Sequence, residues 1–216
     1  MCFSANASFG AGIALTVVGI ASMRKVKPGA QRVFAAIPLL FAMQQFTEGF
    51  VWLSLTGKYG TGMSMIPIYI FLVFAQVVWP IWVPLSMYLL ETGRGRRTLL
   101  LGITGIGFLV AGYVTWGMFF YPVGASVSGM HIQYSLGFPL VDSWMAGVFY
   151  FIPTVIPLFI SGHKKMFLLG LTIFLSYVVS ELLFEGYVIS VWCFFAAIIS
   201  AMVYYLAGTL TTKKIN

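Results

Sequence analysis

Seven long apolar runs follow one another along the chain, at residues 7–23, 33–56, 64–90, 98–120, 144–160, 166–184 and 187–208, with little between them. Each can cross about 30 Å of hydrocarbon as a helix. In lipid, every backbone polar group must be satisfied within the structure, so runs of this length form helices packed as a bundle. With 60% apolar and 8% charged residues and a mean hydropathy of +0.97, no polar surface is left for a soluble globule. The expected fold is an all-α membrane protein. A single seven-transmembrane-helix bundle takes up residues 1–216, with no aqueous domain beside it.

The cations set the orientation. Arg24, Lys25, Lys27 and Arg32 lie between the first and second runs, Arg94, Arg96 and Arg97 between the third and fourth, Lys164 and Lys165 between the fifth and sixth, and Lys213 and Lys214 after the seventh. Only Lys58 falls on the other side, so the C-terminus is expected in the cytoplasm and the N-terminus outside. The net charge of +7 is then a topology signal facing anionic lipid heads, and no nucleic-acid partner is needed to explain it. The bilayer is the first partner, and in a bacterium the location is the plasma (inner) membrane. The first run starts within ten residues of Met1, without a charged leader, and reads as a signal anchor. Cys2 and Cys193 are too few for a disulfide framework, although both fall toward the outer side. Asn6-Ala7-Ser8 fits the glycosylation pattern but abuts the membrane.

Against this background Glu48 stands out, in Gln-Gln-Phe-Thr-Glu-Gly-Phe-Val-Trp near the centre of the second run. With all the lysines and arginines outside the runs, a carboxyl group there must be protonated, hold a metal or bind a cationic group. Gln44 and Gln45 fall near the midplane and Glu48 roughly 5 Å further out, at about 1.5 Å per residue. Gln44 and Glu48 share a helix face, so an amide-to-carboxyl hydrogen bond is available, and a protonated Glu48 fixing helix packing is the bland reading.

The sixth run carries Tyr177, Ser180, Glu181 and Glu185, with Glu181 in the outer leaflet and Glu185 at its boundary. The third run carries Gln76, Trp79, Pro80, Trp82 and Pro84, and prolines free backbone carbonyls that can line a cavity or simply bend the helix. Tyr150, Pro153, Thr154 and Pro157 lie in the fifth run, and Ser190, Trp192 and Cys193 in the seventh. These groups share one depth band, which points to a polar pocket opening outward. The longest connection, residues 121–143 with His131 and Asp142, can fold over it as a lid. His131 is a candidate ligand for a divalent metal held by Glu48 and Glu181, or else a solvated loop residue. If the initiator methionine is removed, Cys2 offers an amine and a thiol at the same mouth; otherwise Ser4 or Ser8 caps an ordinary lead-in.

A spacing of 137 residues pairs Lys27 with Lys164, Gln44 with Glu181, Glu48 with Glu185 and Gly49 with Gly186. This suggests 3+1+3 parallel repeats, with the site between the halves as in transporters.

The opening Met-Cys-Phe-Ser-Ala-Asn-Ala-Ser-Phe-Gly, together with Gln-Gln-Phe-Thr-Glu-Gly-Phe-Val-Trp, resembles an uncharacterised family of small bacterial multi-pass membrane proteins over the whole chain. That resemblance implies a membrane protein of this size and brings no activity with it. Better-known seven-helix families fit less well. No lysine lies inside the seventh run, so retinal is not expected; His131 and His163 fall on opposite sides, so neither a multi-histidine metal hydrolase nor a two-histidine haem is expected. The Pro-Gln signature of the small three-plus-one-plus-three sugar transporters is missing, which leaves analogy of plan alone.

Two functional readings follow. In the first, a transporter or carrier binds a proton, cation or small cationic solute through Glu48, Gln44, Gln45 and Gln76, with Tyr177 and Glu181 facing them. In the second, Glu48, Glu181, His131 and Cys2 hold a metal in a membrane enzyme acting on a lipid or other hydrophobic substrate. An accessory subunit of a larger membrane complex, or a homo-oligomer, is a third arrangement, with the aromatic-rich surface (17% Phe, Trp and Tyr) serving lipid or partner contact.

Overall fold

The computed structural model describes residues 4–57, 65–183 and 195–212, without the side chains at 181, 183, 211 and 212. In chain order the elements are α1 (Ala5–Lys25), α2 (Ala30–Ala35), α3 (Ile37–Leu55), α4 (Met65–Leu72), a π-helix (Val73–Val78), α5 (Trp79–Leu90), α6 (Arg94–Phe120), β1 (Val123–Ser128), β2 (His131–Leu136), α7 (Trp144–Ile160), α8 (Met166–Leu183) and α9 (Ala196–Thr212). Four helical units are long and apolar enough to cross a membrane: Ala5–Lys25, Ala30–Leu55, Met65–Leu90 and Arg94–Phe120. The apolar parts of α7, α8 and α9 are shorter, within the described residues.

Proline shapes two of the long units. Pro38 sits in the first turn of α3, where a missing N–H costs least, and the chain makes a single-residue break at Ala36 between α2 and α3. In the next unit, Pro80 has no N–H to offer the Gln76 carbonyl in an α register or the Ala75 carbonyl in a π register. The π-helix falls immediately before it. The Tyr150 hydroxyl of α7 donates instead to the Ala75 carbonyl, at 2.6 Å. Pro84, inside α5, likewise withholds a donor from the Pro80 carbonyl.

At one end of the bundle, the cationic connections gather around the last turns of α9. Lys25 Nζ lies 3.4 Å from the Tyr204 ring centroid, Gln31 Nε2 donates to the Leu210 carbonyl at 3.3 Å, and Lys165 Nζ donates to the Tyr205 hydroxyl at 3.2 Å. Most of the larger core cluster lies toward this end, with Phe34, Met87, Leu100, Leu158, Met166 and Leu206 among its buried residues.

At the opposite end, the connection 121–143, expected to fold over the site as a lid, contains an antiparallel β-hairpin. Ser128 pairs with His131 across a two-residue turn, and Gly129 at the first turn position takes φ +61°, a conformation glycine adopts without strain. Val123 and Ile132 bury against Val51, Phe71, Leu72, Val114 and Met118, so the hairpin is packed onto the ends of α3, α4 and α6. Phe71 stacks on Tyr134 at 4.7 Å.

Candidate functional site

A partly open cavity of about 1230 Å³ runs between α3, the π-helix, α5, α6, α7, α8 and α9, and reaches the hairpin. Gln44, Gln76 and Tyr177, three of the residues expected to share a site, line it together. Aromatic side chains supply much of the wall: Phe41, Trp79, Tyr113, Tyr134, Tyr150 and Phe151. Among the described lining residues, Asp142 alone carries a charge; it is exposed, at the start of the segment leading into α7.

Local packing fixes the polar wall. The Trp79 indole Nε1 donates to Gln44 Oε1 at 2.9 Å, while its ring lies 4.2 Å from Phe41 at 33°. Gln44 is therefore held by a donor on the neighbouring helix. Gln76 projects from the π-helix and is half-buried. The Tyr177 ring lies 6.0 Å from Phe151, and its hydroxyl is placed where a Cβ on Gly147 would meet it at 3.6 Å.

Glu48 and Gln45 are fully buried and stand off the cavity wall. Gln45 Nε2, three residues away, donates to Glu48 Oε2 at 3.4 Å. Gln45, Glu48 and Trp52 share one buried face of α3. On that face Gln45 Oε1 and Trp52 Nε1 have no hydrogen-bond partner among the described residues.

The metal-ligand set is not assembled among the described residues, which contain no group of three or more His, Cys, Asp or Glu side chains able to hold an ion. His131 starts β2 in the hairpin. Cys2, Glu185, Ser190, Trp192 and Cys193 lie outside the described residues, as does the side chain of Glu181. His163 sits beside Gly162 at the cationic end, at the opposite pole from His131.

Glu91 was not among the residues picked out from the sequence. It follows α5 and is 6% exposed. Its carboxylate accepts from the Gly162 N–H at 2.6 Å and from the Gly93 N–H at 3.1 Å. Burial works to raise its pKa, but the N–H groups of Gly162, Gly93 and Thr92 and the charge of Arg96 outweigh it and hold the carboxyl below the usual range. The available signal was a lone acid immediately before three arginines.

Four helical units long and apolar enough to cross a membrane, with a large, aromatic-walled cavity lined by two amides, define a helical membrane protein with an internal cavity. Within that class the chain belongs to a family of unknown function, DUF6629, which it matches over residues 1–215. An uncharacterised family is what the resemblance in the first residues and the second run implied. No curated protein and no solved structure matches the chain.

Proposed function

We propose that the protein is a carrier for a small amphiphilic cation, built as a seven-span bundle with its N-terminus outside and its C-terminus in the cytoplasm. The cavity carries this reading: aromatic faces attract a cation desolvated against them, and neither lysine nor arginine occurs among its described lining residues. Asp142 at the hairpin end supplies an entry charge, and Gln44, Gln76 and Tyr177 supply acceptors further in. Glu48, one helical turn from Gln44 and buried behind the cavity wall, is the proton-bearing group of the proposal, acting on the cavity through α3. Lining residues come from α3 and α5 of the first three spans, from α6, and from α7, α8 and α9 of the last three, as a site shared by two 3+1+3 halves would require.

The test is uptake of a fluorescent quaternary-ammonium or phosphonium ion into proteoliposomes, with internal and external pH set independently. Glu48→Gln should remove the pH dependence of flux, and Asp142→Asn should raise the half-saturating concentration. Flux in Glu48→Gln that equals the parent at every pH would remove Glu48 from the proposal.

A further inference from the structure

We propose that Arg24 and Arg32 form a binding site for the headgroup of an anionic phospholipid. A separate pocket of about 410 Å³ lies between the end of α1 and the start of the α2–α3 unit, with the two arginines and the apolar side chains of Ile20, Met23, Val26 and Leu39 as its walls. Its shape follows from a close helix crossing. At Gly19 a Cβ would meet Leu39 Cδ2 at 2.5 Å and the Leu39 backbone nitrogen at 3.0 Å, so α1 and α3 touch there. Below that contact α1 ends at Lys25 and Val26 turns to extended backbone, which leaves a wedge open to the surface.

The chemistry of the wedge is matched to a phospholipid. Among the described residues the side chains of Arg24 and Arg32 make no hydrogen bond or ion pair, although both are exposed and line one pocket in a chain of only five acids. The acid at this end, Glu91, is already engaged by Gly162 and Gly93. Lys25, the neighbour of Arg24, is turned away onto the Tyr204 ring. Planar guanidinium groups bind phosphate oxygens in pairs, and basic pockets between spans at the membrane boundary suit acidic headgroups. Ile20, 44% exposed, continues the wall toward the hydrocarbon, where an acyl chain would lie. Free phosphate could use the guanidinium groups but not this apolar wall.

The full chain, purified in neutral detergent and delipidated, is titrated with phosphatidylglycerol, cardiolipin or phosphatidylcholine. Bound lipid is counted by native mass spectrometry and the unfolding midpoint is followed in parallel. The parent should retain one anionic lipid in preference to phosphatidylcholine, with a raised midpoint. R24Q/R32Q should bind it roughly tenfold or more weakly, R24K/R32K should recover only part of the affinity, and R94Q/K164Q, which removes equal charge from the same end, should bind as the parent does. Equal losses in R24Q/R32Q and R94Q/K164Q would reduce the site to diffuse charge and overturn the proposal. So would equal binding of phosphatidylcholine, or inorganic phosphate raising the midpoint as far as phosphatidylglycerol does.

Discussion

Gly107 is where a single methyl group should do most harm. A Cβ built there meets the Pro80 carbonyl of α5, with the carbon at 2.8 Å and the oxygen nearer still, and Pro153 Cβ of α7 at 3.5 Å. Ordinary contact begins near 3.4 Å, so α6 must retreat by more than half an ångström, against backbone that has no rotamer to change. Overpacking of this kind costs about 1–3 kcal/mol. Gly105, two residues away on the same helix, has nothing within 4 Å of an added Cβ, and neither do Gly102 and Gly112. Glycine-to-alanine replacement also changes helix propensity, by about 1 kcal/mol in favour of alanine in water. That contribution is common to both sites and cancels in the comparison. Gly107→Ala should therefore be about 1–3 kcal/mol less stable than Gly105→Ala, measured by reversible denaturant titration of the full chain in detergent micelles. Because Leu109 and Val110 of α6 line the cavity, Gly107→Ala should also weaken cation uptake, while Gly105→Ala leaves it intact. Stabilities of the two variants within about 0.5 kcal/mol, the usual scatter for an unstrained surface change, would refute the seating of α6 on Pro80.

Tyr150→Phe removes the hydroxyl that donates to the Ala75 carbonyl; the orphaned acceptor should cost about 1–3 kcal/mol. Hydrogen exchange should rise across residues 73–80 in that variant, and unchanged exchange there would sever the link between Tyr150 and the π-helix. Glu91 predicts an acid limb. Its pKa is lowered on folding, so its contribution is fully present above the unfolded value near 4.5 and is lost as pH falls through the lower folded value. Unfolding midpoints measured between pH 3 and pH 7 should fall at the acid end in the parent. In Glu91→Gln they should be lower at neutral pH and flatter in acid, and parallel profiles would show that Glu91 is not the titrating group.

Much of the helical layout was legible because hydrophobic length is a local property: the run at 144–160 coincides with α7, and 64–90 with the unit Met65–Leu90. The run at 98–120 begins four residues late because α6 starts at Arg94, whose charged side chain is exposed at the helix end while its backbone is already helical. The hairpin was missed although Val-Gly-Ala-Ser-Val-Ser and His-Ile-Gln-Tyr-Ser-Leu both alternate apolar with polar or small residues on either side of a glycine turn; a lone pair of short strands is marginal by itself, and this one is stabilised by burying Val123 and Ile132 on helices far away in sequence. Gln44, Gln76 and Tyr177, grouped by depth in the sequence, line one cavity; depth follows from counting residues along a span. Separating Glu48 from the cavity wall needed the rotation of α3, which Trp79 of α5 helps to set through Gln44 and Phe41.

Pro80 and Pro84 of the third run act on both sides of the cavity wall, as lining and as packing device together. Pro80 leaves the Ala75 carbonyl without its donor, and α7 answers with Tyr150; Pro84 leaves the Pro80 carbonyl without its donor, and α6 answers with a bare glycine that lets the backbones meet. A Cα–H can approach a carbonyl oxygen there, a weak contact that a side chain would prevent. Gln76 and Trp79 stand on the same interrupted stretch, between those two anchors, and face the cavity. Straightening α5 by replacing Pro80 would return the Ala75 carbonyl to its own helix and deprive Tyr150 of its acceptor. It would also turn Gln76 about the helix axis, so the polar wall depends on a break in the helix that neighbouring helices hold open.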